Sequence, residues 1–287
     1  MHGPAVKRAA RPAAGSAAEV GTAIISSRHN PLIRELRTTL RAPGRRAGAC
    51  VLEGRRLVHA AVDAGVRLDL LVLTQAAAAD PGSAAVREAA RARAAREVIV
   101  TADVFAALTQ VETPQGILGI APRPSAAAVA AARDAQTLAV VLDGVQDPGN
   151  VGTIVRTAVA CRATLVVACG STADPYGPKA LRASAGAAFR IPVAFASDAN
   201  EADAELRQAG ARIVVADAHA AETATRATWT RPLALVLGSE AAGAAPVWRE
   251  QGGTAVRVPV AGAVESLNVA AAAAVLLYQA AGLLIAP

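Results

Sequence analysis

Aromatic residues are nearly missing from this chain: two tryptophans, two tyrosines and three phenylalanines, 2% of 287 residues. Any core must therefore be aliphatic. Hydrophobic residues reach 53%, much of it alanine, and the length suits two modest domains or one large one. Cysteine is scarce and odd in number. Cys50, Cys161 and Cys169 form no C-x-x-C pair and no Cys/His ligand spacing, which argues against a disulfide frame and a structural metal site and suits a reducing compartment, the cytoplasm. The four histidines, His2, His29, His59 and His219, are scattered and read as surface or satisfied core residues. No continuous apolar segment accompanies the basic N-terminus, so we expect no signal peptide. The apolar stretch from Val269 onward is alanine-rich and carries Gln279, which fits a buried or subunit-packing helix better than a membrane span. Collagen and heptad periods are lacking, and long Val/Leu/Ile runs exclude a disordered chain.

Several catalytic signatures are also lacking. No G-x-G-x-x-G follows a strand-like segment. Gly144 to Gly149 fits G-x-x-x-x-G, but Asn150 and Val151 follow where a phosphate-binding loop needs Lys and Ser/Thr. Neither G-x-S-x-G nor H-E-x-x-H occurs.

What is present is basic. Lysine and arginine total 29 against 23 acidic residues, giving +6, and nearly all of the positive charge is arginine. Arginine forks match phosphate geometry, so a polyanionic partner is one reading; an arginine bias of the coding background is the other. Residues 1–22 read as a disordered basic tail. Residues 23–122 alternate helical and strand patterns: helix Pro31–Leu40, strand Ala49–Glu53, helix Gly54–Ala64, strand Leu68–Thr74, helix Ala84–Ala95, strand Glu97–Val100, helix Ala102–Leu108 and strand Gly116–Ala121. Residues 123–136 suit a linker, and its alanine run suits a short helix. From 137 to 287 a second α/β domain opens with TLAVVLD, a buried parallel strand, then helix Val151–Arg162 and strand Leu165–Cys169. Further buried strands are expected at Ile213–Ala216, Leu233–Leu237 and Ala255–Val260, before the alanine-rich helix.

Polar and glycine residues cluster after three of these strands, where parallel sheets bind ligands. In LDGVQDPGNVGTIVRTA, Asn150 is a candidate N-cap, while Val151, Ile154, Val155, Ala158 and Val159 share the sheet-facing stripe. Gly152 and Arg156 lie i, i+4 on another face, leaving room for a phosphate or ribose; an ordinary capped helix is the alternative. In LVLGSEAAGA, Gly238 would let a ligand approach the backbone and Glu240 would place a carboxylate at the sheet edge, or simply be a solvated turn residue. In VPVAGAVESLNVA, Ser266 or Asn268 caps the last helix.

Together and in this order, the three blocks resemble the signature motifs of the SpoU (TrmH-like) RNA ribose 2′-O-methyltransferases of the SPOUT superfamily. Asn150 and Arg156 supply the N-x-x-x-x-x-R element. Gly238, Ser239 and Glu240 supply G-S-E. Pro259, Gly262, Glu265, Ser266, Leu267, Asn268 and Val269 supply P-x-x-G-x-x-E-S-L-N-V. The stretch DPYGPKALRASAGAAFRIPV, with Lys179, Arg182, Ser184 and Gly186, is similar to the family as well. In the first domain SRHNPLIRELRTTL, VLEGRRLVHAAVDAG and TPQGILGI resemble the ribosomal-protein-like RNA-binding domain often joined to it. Departures are Ala241 for a usual glycine, Cys161-Arg162 where glycine is common, and Ala270 for a frequent serine.

The resemblance implies an α/β fold whose parallel-sheet domain carries a trefoil knot, a homodimer, and S-adenosylmethionine bound in the knot loops. Leu237, Gly238, Val258, Pro259 and Leu267 would frame the cofactor. Arg156, Asn150, Ser266 and Asn268 would be catalytic, with Glu240 and Glu265 behind them. A guanidinium is not deprotonated in proteins, so Arg156 is expected to hold the target phosphate and stabilise the developing alkoxide. Arg28, Arg34, Arg55, Arg56 and Arg182 are candidate RNA contacts. The implied activity is ribose 2′-O-methylation of RNA, with 23S ribosomal RNA favoured. A tRNA substrate, or a noncatalytic RNA-binding protein of the same fold, are the alternatives.

Overall fold

The computed structural model describes residues 24–41, 48–93, 95–109, 111–262 and 264–283; the basic tail expected at 1–22 lies outside them. The N-terminal elements are α1 (Pro31–Arg41), β1 (Ala49–Glu53), α2 (Arg55–Asp63), β2 (Leu70–Thr74), α3 (Gln75–Ala79), α4 (Ala84–Ala92), β3 (Arg96–Val100), α5 (Ala102–Ala106) and β4 (Ile117–Pro122). The strands form a mixed sheet in the order β1-β4-β2-β3, with only β2 and β3 parallel.

The second part comprises β5 (Leu138–Asp143), α6 (Pro148–Ala160), β6 (Leu165–Cys169), α7 (Pro178–Ala183), β7 (Val193–Ala196), α8 (Ala199–Gln208), β8 (Arg212–Ala216), β9 (Glu222–Thr223), β10 (Leu233–Gly238), α9 (Val247–Glu250), β11 (Thr254–Arg257) and α10 (Val269–Ala280). Its seven strands pair throughout in parallel, in the order β7-β6-β5-β10-β8-β11-β9. The chain runs outward from β5 through β6 to β7, then crosses to β8. The strand order thus reverses beside β5 and β10, and such a reversal opens a crevice at the carboxyl ends of the strands. Register places Asp143 beside Gly238 at that edge.

Local chemistry explains the helix starts. Asn30-Pro31, Asp80-Pro81 and Asp147-Pro148 each set an oxygen-bearing side chain before a proline, whose fixed φ suits the first helical position. Asp147 accepts from the N–H groups of Gly149 and Asn150 at 2.6 and 3.0 Å. Asp147, not Asn150, is therefore the cap of α6, and Asn150 sits inside the first turn. Lys179 pairs with Asp147 at 2.9 Å, and this contact with the two N–H bonds holds the carboxyl below its ordinary range. Gly152 does not leave a space for a ligand. A β-carbon there would overlap the Ala180 carbonyl, so the glycine serves the close packing of α6 on α7.

Strand β11 stops at Arg257, three residues before the expected Val260, and this frees Val258 to line a cleft. The sequence reading had no α7, β7 or α8. Asp198 caps α8 by accepting from the N–H of Glu201 at 3.0 Å, and Glu201 accepts in return from the N–H of Ser197 at 2.6 Å.

The two sheets share one aliphatic cluster that runs from Cys50 and Leu52 to Val155, Leu181 and Leu277. Burial pushes the Cys50 thiol up to about 12, so it packs as a small apolar group. The segment 123–136 also packs: Ala127 bridges Ala194 of β7, and Val129 and Ala132 are buried. At its start Arg123 makes paired bonds of 2.6 and 2.7 Å to Asp174, with its guanidinium over the rings of Tyr176 and Phe195.

Helix α6 ends in a left-handed turn. The N–H of Arg162 donates to the Val159 carbonyl and that of Ala163 to the Ala158 carbonyl, with Arg162 at φ 55°. Glycine is the ordinary occupant of that conformation, which explains why Arg162 stood out in the sequence. Arg162→Gly should raise stability by about 0.5–1 kcal/mol, the left-handed penalty less the entropy of glycine. Urea unfolding measures it, and an unchanged or lower midpoint counts against the strain.

Candidate active site

Three segments far apart in the chain meet at the carboxyl edge of the parallel sheet. The first turn of α6 brings Asn150, the loop after β10 brings Glu240, and the start of α10 brings Asn268. The Asn150 side-chain amide donates through Nδ2 to Glu240 Oε1. Its Oδ1 accepts from Asn268 Nδ2 at 3.3 Å. Asn268 Oδ1 in turn accepts from the N–H of Ala270 at 2.9 Å, which makes it, and not Ser266, the cap of α10. Glu240 is thus a hydrogen-bond partner of Asn150 rather than a merely solvated turn residue.

Arg156 stands on α6 about 9 Å further along the helix axis. It is exposed, and among the described residues no hydrogen bond or ion pair engages it. The same helix buries Val151, Ile154, Val155 and Ala158, so its position is set by core packing.

Beside this junction lies a cleft of about 560 Å³, within the range of small-molecule sites. Leu237, Gly238, Val258 and Leu267 line it, as do Ser266, Glu240 and Glu265, while Pro259 is exposed and does not. The wall also includes Val256, Val269 and Leu276, and its polar side Asp217, His219 and Arg249. The space beside the Gly238 Cα is filled by the backbone of Gly243 and Ala244, so this glycine accommodates the chain's own loop rather than a ligand. A second hollow of about 430 Å³, lined by Gln136, Trp229, Arg231 and Gln279, is wide open and lies at the opposite edge, where β5 and β10 begin.

Two strand-end carboxylates that fix the loops around the cleft escaped the sequence reading. Asp143 Oδ2 accepts from the N–H of Ala245 at 2.7 Å and from Trp248 Nε1 at 2.9 Å, fixing the loop after β10. A lone carboxylate closing the apolar run LAVVLD was the available signal. Asp217 ends β8 and pairs with Arg249 at 2.7 Å, and nothing in its local sequence marks it.

The candidate RNA contacts divide. Arg34 and Arg56 are exposed, as is Arg28, which donates Nε to the Asp103 carbonyl at 3.2 Å. Arg55 pairs with Asp80, and Arg182 lies 4.0 Å from the buried Glu53, so these two are drawn toward carboxylates.

Residues 137–278 match the SpoU rRNA Methylase family, and residues 30–119 match the MRM3-like substrate binding domain. A 23S rRNA (guanosine(2553)-2′-O)-methyltransferase, RlmP of Bacillus subtilis, is 34% identical over 184 residues, 64% of this chain and 72% of its own. The chain belongs to the SpoU family. An AdoMet-bound rRNA methyltransferase from Sinorhizobium meliloti superposes with a TM-score of 0.79 at 28% identity, over 92% of this chain and 99% of that one. The SpoU methyltransferase AviRb from Streptomyces viridochromogenes, in complex with AdoMet, gives 0.75 at 26% identity, over 88% and 98%. A SpoU methylase is thus joined here to a substrate-binding domain.

Asn268 has two duties, and serine separates them. Asn268→Ser keeps a capping oxygen but loses the reach to Asn150. Unfolding free energy should change by less than about 1 kcal/mol, while the methyl-transfer rate falls roughly 10- to 100-fold through misplacement. Thermal denaturation beside single-turnover kinetics checks both; a wild-type rate would sever Asn150–Asn268 from catalysis.

Proposed function

We propose that this protein transfers a methyl group from S-adenosylmethionine to the 2′-hydroxyl of a ribose in RNA, and that the RNA is 23S ribosomal RNA. The observation that carries this reading is the junction of Asn150, Glu240 and Asn268 beside a cleft of cofactor size, with an uncommitted arginine further along the helix that carries Asn150. The fused substrate-binding match and the 23S target named for the Bacillus relative support the choice of RNA.

The cleft fits the cofactor. Its apolar side, with Leu237, Val258 and Leu267, suits the adenine, while backbone groups at the strand ends offer donors and acceptors. When bound, S-adenosylmethionine supplies a methyl carbon already electrophilic on a sulfonium, so the chemistry needs no metal to activate it. Among the described residues no cluster of three His, Cys, Asp or Glu is grouped for metal binding. With the cofactor in place the ribose oxygen would take that methyl as the carbon–sulfur bond breaks, the hydroxyl proton leaving to solvent or to the neighbouring phosphate. Arg156 grips that phosphate and stabilises charge growing on the oxygen. Asn150 and Asn268 hold the loop geometry, Ser266 faces the reacting groups, and Glu240 and Glu265 support them.

Arg28, Arg34 and Arg56 supply phosphate contacts from the first domain, with Arg55 and Arg182 at its margin, so RNA affinity falls steeply with salt. We divide the chain into residues 23–122 for substrate binding, a packed connector at 123–136 and a catalytic domain from 137. The placement of β10 between β5 and β8, followed by return of the chain to α10 beside α6, supports a trefoil knot. Among the described residues no helix is long and apolar enough to cross a membrane. Three free, buried cysteines support a cytoplasmic site of action.

The test is single-turnover transfer of labelled methyl to 23S rRNA. Arg156→Ala should lower the rate at least 100- to 1000-fold while calorimetric affinity for S-adenosylhomocysteine stays within a few-fold. A near-wild-type rate removes Arg156 from the mechanism, and lack of any cofactor binding by the wild type favours a noncatalytic RNA-binding role.

A homodimer is supported by exposed apolar residues on and beyond the last helix, Val275, Tyr278 and Leu283, an arrangement suited to a second copy. Sedimentation equilibrium should give a dimer that Tyr278→Glu shifts toward monomer; a monomeric wild type overturns it.

A further inference from the structure

We infer that Asp217 holds the ribose diol of the cofactor and that Arg249 keeps its carboxylate in place to do so. This rests on the reading that the cleft takes S-adenosylmethionine.

Asp217 follows β8, the strand next to β10, and so stands at the same carboxyl edge as Gly238. It lines the cleft facing an apolar side made by Leu237, Val256 and Leu276. Its side chain is only 20% exposed, whereas its partner Arg249, which also lines the cleft, is 51% exposed. The loop is tied down on the sheet side, because the Asp217 N–H donates to the Val256 carbonyl at 3.0 Å.

A carboxylate offers about four acceptor positions. Asp217 uses one on each oxygen: Oδ1 accepts from the N–H of His219 at 2.9 Å and Oδ2 from Arg249 Nη1 at 2.7 Å. Each oxygen keeps one further position, and the residue lines the cleft. Two adjacent acceptors on one rigid group match two adjacent hydroxyl donors. Within the cofactor only the ribose presents such a pair. The purine offers no vicinal hydroxyls, and the amino-acid end offers one ammonium beside a carboxylate that Asp217 would repel.

The arginine gives the carboxylate a paired counter-charge at the edge of an apolar wall. Arg249 belongs to α9, which follows the loop that Asp143 anchors through Ala245 and Trp248. The strand-end carboxylates Asp143 and Asp217 thus hold the β10 loop and α9 from two sides, and the diol site is built when that loop is in place.

The experiment titrates wild type, Asp217→Asn and Arg249→Gln, as full-length protein, with three probes by calorimetry: S-adenosylhomocysteine, 5′-methylthioadenosine and its 2′-deoxy analogue. Methylthioadenosine keeps the diol and lacks the amino-acid end. Asp217→Asn should weaken both S-adenosylhomocysteine and methylthioadenosine by about 10- to 100-fold, the loss of a charged hydrogen-bond acceptor. Removing the 2′-hydroxyl should cost the wild type about as much and cost Asp217→Asn little more. Arg249→Gln should give a smaller loss in the same pattern. A selective loss among three ligands does not arise from misfolding, so the comparison stays decisive if the variant is less stable. If Asp217→Asn weakens S-adenosylhomocysteine but leaves methylthioadenosine untouched, Asp217 reads the amino-acid end and the inference is overturned. If the wild type binds S-adenosylhomocysteine and Asp217→Asn binds each of the three probes as tightly as the wild type does, the inference alone is overturned. If the wild type binds none of them, the cofactor reading itself fails.

Discussion

Asn150 uses both ends of its side-chain amide at once. Its NH₂ donates to a carboxylate 90 residues later in the chain, and its oxygen accepts from an amide 118 residues later. Asparagine suits this because it carries a donor and an acceptor on one short, planar group. Aspartate at 150 would set two acceptors against Glu240, and a longer glutamine would lose the fixed reach. The three segments that meet beside the cleft are joined through this one side chain. It is itself held by the first turn of a helix whose opposite face is locked in the core.

Tertiary packing reassigns the small residues around this junction. Gly152 and Gly238 each sit near the proposed ligand region, and both look from sequence like spaces made for a ligand. In the fold each is filled by the chain itself, Gly152 by α7 and Gly238 by residues 243 and 244. Glycines near a site thus set how closely the supporting elements approach, and the cleft is the space left between them. Asp143 belongs to the same scaffold, since it fixes the β10 loop without lining the cleft.

Much of this was legible because the signals are local. Apolar runs such as Leu138–Leu142 and Leu233–Leu237 mark buried parallel strands, and the three polar blocks follow their carboxyl ends. The cap of α6 was legible too in Asp147-Pro148, although Asn150 drew attention away from it. What stayed hidden was long-range. The pairing of Asp217 with Arg249 joins residues 32 apart. The short strand β7 has only four residues, VAFA, too few for a period to be counted. The end of β11 at Arg257 is set by where its pairing to β9 stops, which the apolar run through Val260 does not reveal. The family resemblance supplied the cofactor and the expectation of a knot, neither of which any periodicity suggests.

The distribution of arginine completes the case for Arg156. Arginine carries nearly all of the chain's positive charge, yet many of its guanidinium groups are spoken for. Arg123 is clamped on Asp174, Arg87 on Glu97, Arg207 on Asp203, Arg249 on Asp217 and Arg55 on Asp80. Each of these neutralises a carboxylate and contributes little field beyond its pair. Arg156 has no such partner among the described residues, while Glu240, the acid of the junction, is engaged by Asn150. A cation with no partner among the described residues, on a helix packed against the core, is free to meet an outside anion, as its proposed role at a phosphate or a developing alkoxide requires. The amide of Asn150 meanwhile occupies one oxygen of Glu240, so that substitution of Asn150 should leave that carboxylate without its partner as well as loosen the geometry.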